Sequence, residues 1–379
     1  MKRVLFDLYW AQPIGNSKFH GGGEYIKSVF YHFTKTYANT LKIIVFFDKD
    51  KFIDEYLVDL IESLHIEVID VKSQRDIDQI INSVVFDVFY TGMPYHYVNT
   101  AFPKKISSVG TFHGLRPIEM YTDKYEFLYE KNILKAFAKL LLKKIRVKKL
   151  IHEFDTAIKK FNVIFCDSDH SKYAIKNIFN VGEDKQIVVY YAPYKRRELY
   201  SINSAEYAYK DFILILGANR WIKNSYRAIK AIDDLYARGK IPDIKTIIVG
   251  NLNWKIKKKI KNIDSFVFFN YVNNEQLEYL YANCKLFVYP TLNEGFGLPP
   301  LEAMDFGKTC LVSSVCSLPE LCGDAVYYFN PYDILEIQDR ILLGLDQPIK
   351  KDIVLDKRIM IRNRQEKDLD DLCKMLACL

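Results

Sequence analysis

The stretch Tyr289-Pro290-Thr291-Leu292-Asn293-Glu294-Gly295-Phe296-Gly297-Leu298-Pro299-Pro300-Leu301-Glu302-Ala303-Met304 decides how the rest of the chain is read. The apolar run at 286–289 reads as a short buried strand, and Pro290 stops it. Gly295 and Gly297 make a loop with no side chains to hold a ligand away. Pro299 and Pro300 are tolerated only in a first helical turn, where their missing N–H groups would be unpaired anyway. A strand, a glycine loop and a helix start bring the N–H groups of Gly295, Phe296, Gly297 and Leu298 toward one point, a natural seat for phosphate. Glu294 and Glu302 flank that seat with seven residues between them. Carboxylates do not bind phosphate, so they should grip hydroxyls beside it. A diphosphate carrying a sugar at each end fits the pattern.

These residues resemble the hallmark of the family 4 retaining glycosyltransferases, the glycosyl transferases group 1, whose EGFGLPxLEAM run stands here from Glu294 to Met304. The continuation is similar too: Gly307-Lys308, a strand at 309–313, Ser317-Leu318-Pro319-Glu320 and Gly323-Asp324-Ala325. Two glutamates at this spacing would mean nothing alone, but the whole run is specific. The resemblance implies the GT-B fold, an α/β class with two Rossmann-like domains facing a central cleft.

Composition agrees with a soluble globular protein of two ordinary domains: 379 residues, 49% hydrophobic and 27% charged. Fifty-four Lys and Arg against 47 Asp and Glu leave a net charge of +7. That mild excess suits anionic substrates or an anionic membrane surface, and argues against a nucleic-acid binder. Seven scattered cysteines with no CxxC or Cys/His cluster argue against a disulfide or zinc framework and for a reducing cytoplasm. The first ten residues read as a strand, with too short an apolar run for a signal peptide, and no stretch is long enough to span a membrane.

Strands are expected at 4–8, 42–47, 66–70, 84–90, 107–112 and 163–166, with helical patterns between most of them. A polar stretch to about residue 210 reads as a linker. A second alternation follows, with strands at 212–216, 246–249, 266–269, 286–289, 309–312 and 326–329. Such alternation predicts parallel sheets wrapped by helices. The expected domains are 1–193, on the acceptor side, and 194–360, binding the nucleotide sugar. A helix at about 361–379 is expected to pack back on the first domain.

Other candidate residues lie at strand ends. His20-Gly21-Gly22-Gly23-Glu24 opens a helix, and the resemblance implies that Gly22 and Gly23 close over the donor diphosphate. His113 ends a strand, where open α/β sheets place ligand sites; the resemblance assigns it to the transferred sugar or the acceptor. Ser168 or Asp169 serves as a helix N-cap. Arg220 and Lys223 follow the first strand of the second domain and, by resemblance, neutralise the departing diphosphate. Ala218 stands where the family usually has Arg, so Arg220 takes that role from a shifted position. The resemblance implies that Tyr271 and Val272 border the base through backbone groups, and Asn274 reads as the cap of the next helix. At 131–160, Phe137, Leu141, Ile145, Ile151, Phe154 and Ile158 form a helical stripe crowded by Lys135, Lys139, Lys143, Lys144, Arg146, Lys148 and Lys149. Contact with an anionic membrane and a solvated basic face both fit this pattern.

The resulting expectation is a retaining glycosyltransferase, with a UDP- or GDP-sugar as donor and a saccharide or lipid-linked saccharide as acceptor. Glu302 would hold the ribose hydroxyls, and Glu294 the sugar hydroxyls. Arg220 and Lys223 would supply the charge, with no metal and no further cofactor. The setting would be cell-surface polysaccharide or lipopolysaccharide synthesis, in the cytoplasm or at the inner face of the membrane. The rival is a catalytically idle nucleotide-sugar-binding subunit of the same fold.

Overall fold

The computed structural model describes residues 1–14, 20–120, 122–130, 132, 139, 141–182, 185–193, 209–241 and 243–379. Residues 194–208 of the expected linker and the positions Lys135 and Phe137 lie outside these residues. The chain divides into two compact units: Met1–Leu115 with Lys148–Lys195 and Asn363–Leu379, and Arg116–Val147 with Arg196–Arg362.

The first unit is built on seven strands: β1 (Arg3–Asp7), β2 (Lys42–Phe47), β3 (Glu67–Asp70), β4 (Val88–Thr91), β5 (Ser107–Phe112), β6 (Val163–Cys166) and β7 (Gln186–Val189). Every pairing is parallel, in the order β3-β2-β1-β4-β5-β6-β7. The central strands are buried apolar runs, as a sheet covered on both faces requires. The strand order reverses between β1 and β4, which opens a crevice at their carboxyl ends.

The second unit repeats the plan with six strands: β8 (Phe212–Leu216), β9 (Thr246–Val249), β10 (Phe266–Phe269), β11 (Cys284–Tyr289), β12 (Thr309–Ser313) and β13 (Tyr327–Phe329). Their order is β10-β9-β8-β11-β12-β13, again wholly parallel, and it reverses between β8 and β11. The core packs Ile213, Ile215, Leu286, Val288 and Leu311 of the sheet against Ile229, Ile232, Ile337 and Ile341 of the covering helices. The fold is α/β, with two parallel-sheet domains in the GT-B architecture.

The structure refines the sequence reading in four places. β7 was not anticipated, although Ile187, Val188 and Val189 form an apolar run. The strand expected at 84–90 begins only at Val88, since Val84 closes the preceding helix by donating to the Ile80 carbonyl. The last helix runs from Lys351 to Cys378, longer than expected. Within the first unit its end is held by Asp368, which accepts from the Tyr191 N–H at 2.9 Å, and by Lys2, which donates to the Ala377 carbonyl at 3.1 Å. Finally, Arg116–Val147, read from sequence as part of the first domain, groups with the second unit. Leu128 sits in that unit's core, and the Asp123 carboxylate accepts from Arg227. Among the described residues no helix is long and apolar enough to cross a membrane.

Candidate active site

The carboxyl ends of β8 and β11 sit side by side where the strand order of the second sheet reverses. The chain leaves β8 through Gly217 and a short 3-10 turn at Trp221–Lys223. It leaves β11 through Pro290 and Thr291. Lys223 and Glu294, 71 residues apart in sequence, therefore meet as a buried ion pair, with side chains only 9% and 14% exposed. The Lys223 ammonium also donates to the Tyr289 hydroxyl and lies 4.9 Å from the centre of that ring. Glu294 Oε1 accepts from the Tyr289 hydroxyl and from Thr291 Oγ1, each at 2.8 Å.

Burial works against the ionised Glu294 carboxyl. The Lys223 charge and the hydrogen bonds from Lys223, Tyr289 and Thr291 outweigh it and hold the carboxyl below its usual range. Burial pulls the Lys223 ammonium down from its ordinary value. Glu294 opposes that fall, while the charges of Arg220 and Arg116 reinforce it. An anion beside this lysine would relieve its electrostatic burden.

After Glu294 the loop turns into the helix Leu298–Met304, with Gly297 at its cap. Gly297 has φ +108°, a backbone conformation that favours glycine, and a Cβ there would lie 2.5 Å from Leu318 Cδ2. Pro299 lies in the first turn, as expected. Ser317 Oγ donates to the Phe296 carbonyl at 2.6 Å and fixes the loop from below. Gly295, by contrast, is not in the left-handed region. Half-buried Glu302, on the helix, accepts from the Tyr281 hydroxyl at 2.8 Å. Arg220 is exposed at the start of the turn that carries Lys223.

Tyr271 and Val272 follow β10, two strands away from β8, with Tyr271 73% exposed. The next helix is capped by Asn273, not Asn274. Asn273 Oδ1 accepts from Gln276 N, and the Gln276 side chain accepts in return from Asn273 N, each at 2.8 Å.

In the first unit the elements after β1, β4 and β5 converge. His20 caps the helix Gly21–Tyr37 by accepting from Gly23 N at 3.0 Å. A Cβ on Gly22 would fall 2.1 Å from Met93 Cε and 3.6 Å from His113 Cδ2, so Gly22 lies against His113. His113 Nδ1 faces Asp167 Oδ2 at 3.1 Å. A carboxylate only accepts, so Nδ1 donates to it. His113 Nε2 is buried and has no hydrogen-bond partner among the described residues. Asp167 is fixed in turn by Ser171 Oγ at 3.2 Å, and Ser168 is the N-cap of the following helix.

Sequence reasoning thus named Lys223, Glu294, Glu302, Gly22 and His113 but missed their partners Tyr289, Thr291, Tyr281 and Asp167. Only Asp167 carried a signal, as a carboxylate at the end of β6.

Residues 197–366 match the family Glycosyl transferases group 1. The chain is 30% identical over 219 residues to O-antigen chain mannosyltransferase B of Escherichia coli, a match covering 55% of this chain and 57% of that protein. The chain thus spans a little over half the length of that relative. Among solved structures it is similar to sucrose-phosphate synthase from Thermosynechococcus elongatus, with a TM-score of 0.70 at 13% identity over 99% of this chain and 98% of that one. It is also similar to HepE of Anabaena, solved in complex with UDP, with a TM-score of 0.67 at 15% identity over the whole of both chains. The two structural likenesses concern the fold. The family match covers less than half of the chain, and the mannosyltransferase match a little over half of it.

Proposed function

We propose that the protein is a retaining, metal-independent glycosyltransferase of family 4, moving a hexosyl group from a nucleotide-diphosphate sugar to an acceptor hydroxyl in cell-surface polysaccharide or lipopolysaccharide synthesis. The observation that carries this reading is the buried Lys223–Glu294 pair, closed by Tyr289 and Thr291, at the switch point of the second sheet. A lysine buried beside a carboxylate, with further cations close by, is under-neutralised until an anion arrives. A diphosphate leaving group gains most charge as its bond to the sugar breaks, so Lys223 and Arg220 would act on the transition state more than on the bound donor.

In the proposed step the bond from the anomeric carbon to the diphosphate oxygen breaks, and a bond to the acceptor oxygen forms on the same face. The acceptor's proton passes to the departing phosphate oxygen. Glu294 holds the donor sugar and stabilises the oxocarbenium-like centre, without bonding to it. Glu302 holds the ribose hydroxyls. The N–H groups of Gly295, Phe296, Gly297 and Leu298 orient sugar and phosphate, and backbone groups at Tyr271 and Val272 read the base. In the first unit, Gly22 and Gly23 serve the diphosphate, and the unpaired Nε2 of His113 serves the transferred sugar or the acceptor. The O-antigen role of the mannosyltransferase relative supports a saccharide or lipid-linked acceptor, and the UDP complex of HepE supports a nucleotide donor such as a UDP- or GDP-sugar.

Thermal stabilisation by UDP-, GDP-, ADP- and TDP-sugars, with and without EDTA, tests the donor site. One series should raise the melting temperature of the wild type, less so that of Glu302→Ala, with no effect of EDTA. No response at millimolar donor would favour an idle subunit.

Membrane contact is also part of the proposal. Leu141, Leu142 and Ile145 are exposed at the start of a helix whose neighbouring residues include Lys143, Lys144, Arg146, Lys148 and Lys149. Apolar side chains ringed by cations match an anionic lipid surface. The protein should co-sediment with vesicles containing phosphatidylglycerol and not with pure phosphatidylcholine vesicles. Replacing Leu142 and Ile145 by Ser should abolish that difference, and equal sedimentation with both lipids would count against it.

A further inference from the structure

We infer that the segment 116–130 is a brace that positions Lys223 and Glu294 through the residues next to them in the chain, with Glu119, Asp123 and Arg227 as positioning residues. The inference rests on the reading of Lys223 and Glu294 as the catalytic pair. Two observations made within the second unit carry it.

The first concerns Asn224, directly after Lys223. Asn224 adopts the left-handed conformation, φ +55°, which an asparagine tolerates but does not favour. Its side chain is held at both ends: Nδ2 donates to the Pro331 carbonyl at 2.8 Å, and Oδ1 accepts from Arg227 Nη1 at 2.7 Å. Arg227, 1% exposed, also reaches the brace through both Nη atoms. Nη1 and Nη2 donate to the two oxygens of Asp123 at 3.0 and 2.8 Å. The guanidinium also lies against the rings of Tyr125 at 4.6 Å and Tyr332 at 5.2 Å. The backbone turn that aims Lys223 is therefore tied to Asp123.

The second concerns Asn293, directly before Glu294. Asn293 is 5% exposed, and its Nδ2 donates to Glu119 Oε2 at 3.0 Å. The same segment thus grips the chain beside both members of the ion pair. It is well anchored for that purpose. The Tyr129 hydroxyl accepts from Tyr226 N and meets Ser225 Oγ, each at 3.0 Å, and Lys255 donates to the Glu130 carbonyl at 2.7 Å. Nothing in Glu119 or Asp123 need touch a substrate for this role; they act by limiting where Lys223 and Glu294 can sit.

The test measures release of nucleoside diphosphate from UDP-, GDP-, ADP- and TDP-hexoses by the full chain, with Lys223→Ala as reference. Glu119→Ala should lower kcat roughly tenfold, with KM and nucleotide-induced stabilisation unchanged, as loss of one hydrogen bond to a carboxylate implies. Glu119→Gln, which keeps an acceptor for Asn293, should restore most of kcat. Asn293→Ala removes the same bond from the other side and serves where Glu119→Ala folds poorly. It should match the effect of Glu119→Ala, and the double variant should be no worse than either. Wild-type kcat in Glu119→Ala and Asn293→Ala beside a crippled Lys223→Ala would overturn the brace alone. A wild type inert toward all four series, or a fully active Lys223→Ala, would overturn the site reading and the brace with it.

Discussion

Lys223→Ala should lower kcat by about 10²–10³-fold, the usual loss when one preorganised donor to a developing negative charge is removed. It should also destabilise the protein, because the Glu294 carboxylate would remain buried without its counter-charge. Burial alone raises the Glu294 carboxyl, and only the Tyr289 and Thr291 hydroxyls would still oppose that rise. The two effects separate in the double variant Lys223→Met/Glu294→Gln, which leaves no unpaired charge and should regain much of the lost stability but none of the activity.

A pH series supplies a further check. In the wild type the Glu294 pKa is lowered on folding, so the pair's contribution is complete above the ordinary carboxylate range. It is lost as pH falls through the lowered value. In Lys223→Ala, where burial raises the carboxyl instead, protonation removes the stranded charge, so the stability gap to the wild type should narrow as pH falls through the acid range. Near-normal turnover in Lys223→Ala, at saturating donor, would remove Lys223 from the mechanism.

Arg227→Ala should cost about 3–5 kcal/mol, the usual penalty for breaking a buried ion pair and stranding its partner. The side chains of Arg227 and Asp123 are 2% and 7% exposed, so solvent screens their pairing little. The same truncation frees Asn224 Oδ1 and removes the cation between Tyr125 and Tyr332. Replacing both partners, as Arg227→Met/Asp123→Leu, should recover a large part of that loss, because no charge is then left buried. Urea unfolding of the three proteins measures this. A loss below about 1 kcal/mol in Arg227→Ala would mean the pair behaves as a surface contact.

How much of this was legible depended on how local each signal was. The strands at 42–47, 163–166, 212–216, 246–249 and 266–269 carry their own evidence. Each is an unbroken or nearly unbroken apolar run, rich in β-branched or aromatic residues, and each appears with the expected bounds. β7, with Ile187, Val188 and Val189, carried a comparable run and was still not anticipated. In the motif, Gly297 and Pro299 announced the strand–loop–helix turn, because only certain residues fit a positive φ or an N-terminal helical turn.

The sequence by itself therefore determined the α/β class, most strand positions and the identities of Glu294, Glu302 and Lys223. Periodicity, turn chemistry and a specific motif all act over a few residues. Only the tertiary structure decided which side chains meet. The pairing of β8 with β11 puts Lys223 against Glu294 and Tyr289. The docking of 116–130 supplies Asp123 to Arg227 and Glu119 to Asn293. These contacts join segments 66 to 174 residues apart. No local pattern encodes them, because they follow from how distant strands and helices bury their apolar faces together.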